Sequence, residues 1–171
     1  ITGVSNPPKG SVTNNGTDVT FEPGGDFEDL GVGDSETVTF TYTTNTGASE
    51  TVTVTVTGTN DGPVANNDSG VTDEANTVAI ASLSNDSDID GDNLSILGFD
   101  QPSQGSVTLN ASNQFVFDPG DDFASLKVGE SATVTFNYTV SDEHGGTDTA
   151  TVTVTVTGFD QATDTTPDAI E

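Results

Sequence analysis

The sequence predicts an all-β protein made of antiparallel β-sandwiches, and three observations support this class. The apolar residues are mainly Val, Phe, Ile and Leu, and they alternate with polar residues as in half-buried strands. Clusters of Gly, Pro, Asn and Asp separate the alternating segments, as turns do between short strands. The hydrophobic fraction of 30% approaches that of disordered chains, but the strict alternation favours a sheet protein over a disordered one.

The chain also repeats itself. Val38–Thr43 returns as Val134–Thr139, and Thr51–Gly58 returns as Thr151–Gly158. A spacing of this length fits a small self-contained domain rather than one turn of a solenoid. We therefore predict four segments, namely an N-terminally truncated repeat over 1–58, a linker over 59–63, a complete repeat over 64–158 and a polar tail over 159–171.

The strands of the complete repeat follow from the two-residue period. In the last of them, three Val residues face one way and four Thr residues face the other, which suits a sheet with one buried and one solvated face. We also expect one helical turn within Asp122–Val128, with Phe123 and Leu126 filling the core. About seven short strands in one repeat indicate an immunoglobulin-like sandwich. The candidate strands are Thr77–Ala81, Leu94–Phe99, Ser106–Leu109, Gln114–Asp118, Thr133–Val140 and Thr151–Thr157.

The composition excludes several classes of function. The formal net charge is −26, and Lys9 and Lys127 are the only basic residues, so the chain cannot neutralise a nucleic-acid backbone. No stretch approaches the ~18 apolar residues of a spanning helix, so we expect no membrane insertion. Without Cys and with one His, no nucleophile–base pair can be assembled, and we predict that the protein is not an enzyme. Carboxylate pairs can serve a glycosidase, but here they lie in turns, where metal binding suits them better.

The densest acidic run lies between Asn85 and Asn93. It places carboxylates at alternate positions, and such a cluster requires either full solvation or a cation. Closely spaced oxygen ligands around a Gly are typical of Ca²⁺ coordination. An EF-hand is rejected because Leu97 occupies the twelfth position and no helices flank the loop. The carboxylates of this run are Asp86, Asp88, Asp90 and Asp92.

Three further acidic clusters lie at turns or junctions. One is in the linker, one follows it, and one occupies the turn between the last two long strands. Because strand ends meet at the poles of a sandwich, several of these clusters can converge at one pole. Their members are Asn60 and Asp61, then Asp68, Asp73 and Glu74, and finally Asp142.

These segments resemble the cadherin-like tandem repeats of bacterial surface proteins. The similarity rests on the junction Gly58–Ala65, the loop Asn85–Asn93 and the turn Tyr138–Gly146. The pattern F-x-P-x-x-D-F-x-x-L-x-V-G-E-S over Phe117–Ser131 is similar to VCBS-type repeats and to the extender modules of RTX adhesins. The resemblance covers nearly the whole chain, and it implies a bacterial cell-surface location.

The resemblance also implies calcium ligands at the junction between neighbouring repeats. Residues of the linker, the acidic loop and the last turn occupy the family's ligand positions, with Asp90 and Asp92 as extra candidates. The first repeat departs from the pattern because Tyr42–Gly47 contains no counterpart of Asp142. The matching positions are Asn60, Asp61, Asp86, Asp88 and Asp142, with Asp73 or Glu74 as a further acidic residue.

The function expected from the sequence is a calcium-binding structural spacer of an extracellular adhesin. Its partners are the neighbouring repeats, with other copies of the chain or a surface glycan or protein as further candidates. The alternative is a filament subunit whose incomplete first repeat accepts a strand from a neighbour, although a cloning or proteolytic boundary explains the missing start more simply. The alternative without metal binding is that the acidic residues form solvated turns and that the linker is a flexible hinge.

Overall fold

A computed structural model describes residues 1–159, so the predicted tail lies, from residue 160 onward, outside the described residues. Twelve strands run through this part of the chain, and none of its helical segments is long and apolar enough to cross a membrane. The strands are β1 (Gly3–Val4), β2 (Ser11–Asn14), β3 (Val19–Glu22), β4 (Ser35–Thr43), β5 (Ser49–Thr57), β6 (Asp68–Asp73), β7 (Val78–Ile80), β8 (Ser95–Phe99), β9 (Ser106–Leu109), β10 (Phe115–Asp118), β11 (Ser131–Ser141) and β12 (Thr147–Thr157).

The second repeat is a sandwich of two sheets, which confirms the predicted fold class. One sheet has the order β6-β12-β11-β8, and the other has the order β7-β10-β9. The predicted alternation appears along β12, where Val152, Val154 and Val156 are fully buried and the Thr residues between them are not. Burying this Val row supplies the apolar area that holds the sheet to its partner.

Strand β6 is the element that the sequence analysis missed. It pairs with β12 in parallel, from Val152 opposite Asp68 to Thr157 opposite Asp73. The predicted antiparallel sandwich thus carries one parallel pairing at this edge, and β6 is not among the strands predicted from the sequence. The reason is local, because β6 reads Asp-Ser-Gly-Val-Thr-Asp and lacks the apolar alternation by which strands are recognised.

The core of the second repeat is aromatic. Phe115 is fully buried, and its ring lies 5.1 Å from Phe99, 5.1 Å from Phe136 and 5.4 Å from Tyr138 between ring centroids. All three pairs are tilted edge to face, which is a favourable arrangement for aromatic rings.

The first repeat contains the same elements in smaller number. Its sheets are β1-β4-β5 and β2-β3, and Phe21 packs between Phe27 and Phe40 at centroid distances of 6.4 Å. Phe27 ends a 3₁₀ segment, Gly24–Phe27. In the second repeat the matching segment forms turns and not the predicted helical turn, with Phe123 buried and Leu126 only partly so.

The duplication extends to single contacts. Gly58 packs so closely on a neighbouring loop that an added Cβ would lie 2.1 Å from the Leu30 carbonyl oxygen, and Gly158 would meet the Lys127 carbonyl at 2.2 Å. Only glycine fits at such distances. These matched approaches explain why glycine follows each TVTVTVT strand.

Contacts between Cα atoms divide the chain into two compact units. The first contains Ile1–Pro63, the acidic loop Ser87–Leu94 and the turn Ser141–Thr147. The second contains Val64–Asp86, Ser95–Val140 and, among the described residues, 148–159. The linker, the part of the acidic loop from Ser87 onward and the last turn thus belong to one unit, whereas Asp86 belongs to the other.

Candidate metal site

Three carboxylates converge in the first unit. One ligand oxygen from each of Asp88, Asp92 and Asp142 lies within 4.8 Å of the others. Asp88 and Asp92 come from the acidic loop, and Asp142 comes from the turn between β11 and β12. This is the convergence of separate acidic turns that the sequence predicted.

Asp142 is the most enclosed member, with 1% of its surface exposed. Its Oδ1 accepts backbone N–H groups from His144 at 2.8 Å, Gly145 at 3.0 Å and Gly146 at 2.9 Å. Its Oδ2 accepts the Asn60 side-chain N–H at 2.8 Å. The bond from Asn60, followed by these backbone bonds, holds the pKa of Asp142 below its usual range. The group is therefore a carboxylate at neutral pH.

The turn that carries Asp142 is shaped by its glycines. An added Cβ on Gly146 would lie 2.1 Å from Asp142 Oδ2, so no larger residue fits beside the carboxylate. Glu143 and Gly145 have φ values of 67° and 112°, in the left-handed region that glycine favours. This backbone turns three successive N–H groups toward one carboxylate.

The acidic loop is held by its own backbone. Asp88 Oδ1 accepts the backbone N–H of Asp90 at 2.9 Å, and Asp90 Oδ2 accepts that of Asp61 at 2.7 Å. Asp92 Oδ2 lies 2.9 Å from Nδ1 of His144. Asp61 therefore contacts the loop through its backbone N–H. The predicted linker residues and the predicted loop thus lie in one hydrogen-bonded network.

Three oxygen atoms of this network are buried and have no hydrogen-bond partner within residues 1–159. They are Asn60 Oδ1, Asp88 Oδ2 and Asp90 Oδ1. Each belongs to a residue that is bonded to the cluster, since Asn60 donates to Asp142 and Asp90 donates to Asp88. An unpartnered buried oxygen is costly, and oxygen atoms of this kind are the ligands that Ca²⁺ prefers. The donor set therefore fits a hard divalent cation.

The other predicted ligands lie in the second unit. Asp73 caps its own turn, accepting N–H groups from Ala75 and Asn76 at 2.9 Å. These bonds, with that from the Asn76 side chain largest, lower the pKa of Asp73. Glu74 follows it at the end of β6, with a buried Oε2 that has no partner in the described chain.

Asp86 belongs to a hydrogen-bonded group around a tyrosine. The Tyr138 hydroxyl lies 2.9 Å from Asp68 Oδ2 and 3.1 Å from Asp86 Oδ2, and Asp86 Oδ1 accepts the backbone N–H of Asn66 at 2.7 Å. Burial, opposed in part by the tyrosine bond, raises the pKa of Asp68. Burial also raises the pKa of Tyr138 strongly. No pattern in the sequence indicates this group, because a tyrosine in an alternating strand is expected to be an ordinary core residue.

Comparison with known proteins places the chain in a family. A family model described as a bacterial cadherin-like domain matches residues 60–158. The chain belongs to this family. The match covers the linker from Asn60 onward, the acidic loop and the last turn, so all three parts of the cluster lie within the family domain. Membership indicates an extracellular, adhesion-type module. No curated protein matches the chain.

Solved structures of low sequence identity also align with the chain. The first two extracellular cadherin domains of human mucin-like protocadherin align with a TM-score of 0.51 at 19% identity, covering 89% of this chain and 80% of that one. Four extracellular cadherin domains of protocadherin gamma B7 align with a TM-score of 0.46 at 14% identity, covering 92% and 41%. An endo-fucoidan hydrolase of glycoside hydrolase family 107 aligns with a TM-score of 0.36 at 16% identity over 92% of this chain. The chain spans 23% of that hydrolase.

Proposed function

We propose that the protein is a calcium-binding structural spacer of an extracellular bacterial adhesin or surface protein. The observation that carries the proposal is the convergence of Asp88, Asp92 and Asp142 beside buried oxygens that lack a donor. The bacterial cadherin-like family match supports it, because domains of this family generally bind calcium. The pattern over Phe117–Ser131, which resembles VCBS repeats, supports a place among the RTX-type adhesins.

The cluster has the charge that a divalent cation requires. Three carboxylates within 4.8 Å repel one another, and the chain as a whole carries −26. Ca²⁺ takes six to eight oxygen ligands in flexible geometry. The five side chains of Asn60, Asp88, Asp90, Asp92 and Asp142 supply part of this set, and water supplies the rest. Mg²⁺ demands a smaller octahedral site and gives up its own water reluctantly, so the cluster favours Ca²⁺.

Binding couples segments that are far apart in the sequence. Asn60 belongs to the linker, Asp88 to the acidic loop and Asp142 to the last turn. Without the ion, repulsion among the carboxylates opposes their convergence, and the linker between the repeats is freer to bend. With the ion, loop and turn are tied to the linker and its bending is restricted. A series of such junctions makes a stiff extracellular rod.

The expected affinity for Ca²⁺ follows from the proposed extracellular location. Extracellular calcium modules bind with a Kd of roughly 10⁻⁴–10⁻³ M. At ~10 mM Ca²⁺ one such site adds about 1.4–2.7 kcal/mol to the free energy of unfolding. This is a large share of the stability of a small domain, which is about 5–15 kcal/mol in total.

The first test is thermal unfolding in EDTA and across a Ca²⁺ titration, with Mg²⁺ at equal ionic strength as control. A rise in Tm that saturates near millimolar Ca²⁺, with a smaller rise in Mg²⁺, is the expected result. An equal response to both ions would indicate general charge screening and would overturn the proposed site.

The second test measures stiffness. The chain has no Cys, so two labels can be placed cleanly at Thr39 and Thr135, which are exposed and equivalent in the two repeats. Spin-label distances between T39C and T135C should spread widely in EDTA and narrow in Ca²⁺. The same width in both conditions would refute rigidification even where the ion binds.

The remaining features of the proposal concern partners. We propose that neighbouring repeats of the same chain are the main partners and that the protein does not catalyse a reaction. The negative charge argues against nucleic acid, and residues 1–159 contain no membrane-spanning helix. Other copies of the chain and a surface glycan or protein are the further proposed partners.

A further inference from the structure

His144 is the single histidine of the chain, and the proposed function gives it no role. It lies in the turn between β11 and β12, and 48% of its side chain is exposed. Its ring is nevertheless engaged, because Nδ1 lies 2.9 Å from Oδ2 of Asp92. An ionised carboxylate can only accept a hydrogen bond, so Nδ1 carries the hydrogen and donates it to Asp92.

Three hydrogen bonds connect the three segments that form the cluster. The linker donates to Asp142 of the turn through Asn60 at 2.8 Å, and to Asp90 of the loop through a backbone N–H at 2.7 Å. The bond from His144 to Asp92 connects the turn to the loop. Within residues 1–159 no other hydrogen bond joins these two segments. The direct connection between loop and turn therefore depends on one side chain.

The carboxylates of the acidic loop share a pattern in which one oxygen is held by a donor. Asp88 Oδ1 accepts the backbone N–H of Asp90, and Asp90 Oδ2 accepts that of Asp61. In Asp88 and Asp90 the other oxygen is buried and has no partner within residues 1–159. Asp92 Oδ2 is also held by a donor, but this donor is a side chain and not the backbone. A substitution of that side chain can therefore release Asp92 alone.

Asp92 requires a donor because of the charges beside it. One of its oxygens lies within 4.8 Å of ligand oxygens from Asp88 and Asp142, and like charges at this distance repel one another. Its side chain is 20% exposed, so rotation toward solvent would relieve the repulsion and remove the carboxylate from the cluster. The bond from His144 opposes this rotation before any ion is bound.

We propose that His144 is a positioning residue of the calcium site, an inference that rests on the proposed function. Its backbone N–H donates to Asp142 Oδ1 at 2.8 Å and its ring donates to Asp92, so one residue orders a carboxylate of the turn and a carboxylate of the loop. Because Nδ1 gives its hydrogen to Asp92, it offers no lone pair to an ion, and His144 is not itself a ligand. Without the ring donor, Asp92 has to be ordered when the ion binds, and Kd for Ca²⁺ rises. Partners of metal ligands typically change metal affinity by about 10–100-fold.

Two replacements of His144 separate the hydrogen bond from the packing of the ring. His144→Asn removes the ring but keeps an N–H group bonded to Cγ, where Nδ1 is bonded in histidine. His144→Phe keeps a ring but has no donor. Both remove any charge that the imidazole carries, so a difference between them reports the hydrogen bond to Asp92. About half of this side chain is exposed, so neither replacement should prevent folding.

The test is a calorimetric titration of the unaltered chain, H144N and H144F with Ca²⁺ at physiological salt. H144F should raise Kd about tenfold, whereas H144N should stay within about threefold of the unaltered protein. A second readout needs no ion. In EDTA, the amide NMR signals of the loop Ser87–Leu94 should shift in H144F and stay close to those of the unaltered protein in H144N, because the bond to Asp92 acts before binding.

Different results would overturn this inference and the proposed function. An unchanged Kd in H144F would remove the role of His144 while leaving the calcium site in place. A loss of affinity in H144N that equals or exceeds the loss in H144F would assign the effect to the ring itself and would also overturn the inference. No binding of Ca²⁺ by the unaltered chain would overturn the proposed function, and the role of His144 with it.

Discussion

The charge of Asp88 is expected to have two opposite effects on stability, because it repels the neighbouring carboxylates and also binds Ca²⁺. Replacing Asp88 by Asn separates these two effects. Asp88 Oδ1 accepts the N–H of Asp90 at 2.9 Å, and an Asn carbonyl can keep that bond. Its Oδ2 is buried without a partner and is converted to an amide. D88N therefore removes one charge and one metal ligand with little change of shape.

Whether D88N raises or lowers the free energy of unfolding relative to the unaltered protein depends on the presence of Ca²⁺. Two unit charges 4.8 Å apart repel by about 0.9 kcal/mol at the dielectric constant of water. Asp88 faces two such carboxylates, Asp92 and Asp142. Without Ca²⁺, D88N should therefore raise the free energy of unfolding by about 1–2 kcal/mol, or about 2–8 °C in Tm for a chain of this length. If the lost ligand weakens Kd tenfold, the gain at 10 mM Ca²⁺ falls by about 1.0–1.3 kcal/mol relative to the unaltered protein.

The assay is thermal unfolding of both proteins in EDTA and in 10 mM Ca²⁺. Glu143→Gln is the matched control, since it removes one negative charge from the exposed neighbour of Asp142 without touching the cluster. E143Q should keep the calcium-dependent gain of the unaltered protein. An equal gain in D88N and the unaltered protein would refute the assignment of Asp88 as a ligand.

Three further predictions concern stability. Tyr138→Phe should lower the free energy of unfolding by about 1–3 kcal/mol, because two carboxylates lose a shared donor, whereas the same change at half-buried Tyr42 should cost little in urea unfolding. Asp148 accepts the Ala65 N–H at 2.8 Å, and this bond lowers the pKa of Asp148. Its contribution should be present above the unfolded pKa of about 3.9 and lost as pH falls through the lower folded value. Asp148→Asn should therefore lower Tm at pH 7, and the difference in Tm should shrink as the pH is lowered below about 3.9. Gly58→Ala should lower the free energy of unfolding by about 1–3 kcal/mol, and with it Tm, because the added Cβ overpacks against the Leu30 carbonyl. Gly25→Ala should leave Tm unchanged, because an added Cβ there meets no atom within 4 Å.

The sandwich could be predicted because the sequences of its central strands alternate between apolar and polar residues. Val134 and Val152 begin strict apolar alternations, and the strands observed there include the predicted ranges. An alternating pattern of this kind predicts which face of the strand is buried. Strand β6 could not be found this way, since it is held by pairing with β12 and by Tyr138 rather than by apolar side chains.

The candidate site could be predicted in outline but not in detail. Acidic turns at the ends of predicted strands indicated a convergence, and Asp88 and Asp142 do lie together. The sequence could not separate Asp86 from Asp88, because the assignment depends on which way each side chain points. Asp86 faces Tyr138, and only the three-dimensional packing decides this.

The most direct test of the proposed function is an NMR titration of the ¹⁵N-labelled chain with Ca²⁺. We expect saturable shifts at Asn60, in the loop Ser87–Leu94 and in the turn Ser141–Thr147, all with one Kd of roughly 10⁻⁴–10⁻³ M. Mg²⁺ should produce weaker shifts at the same amides. Small shifts spread over every acidic turn, with no saturation and no preference for Ca²⁺, would contradict the claim that these residues form a calcium site.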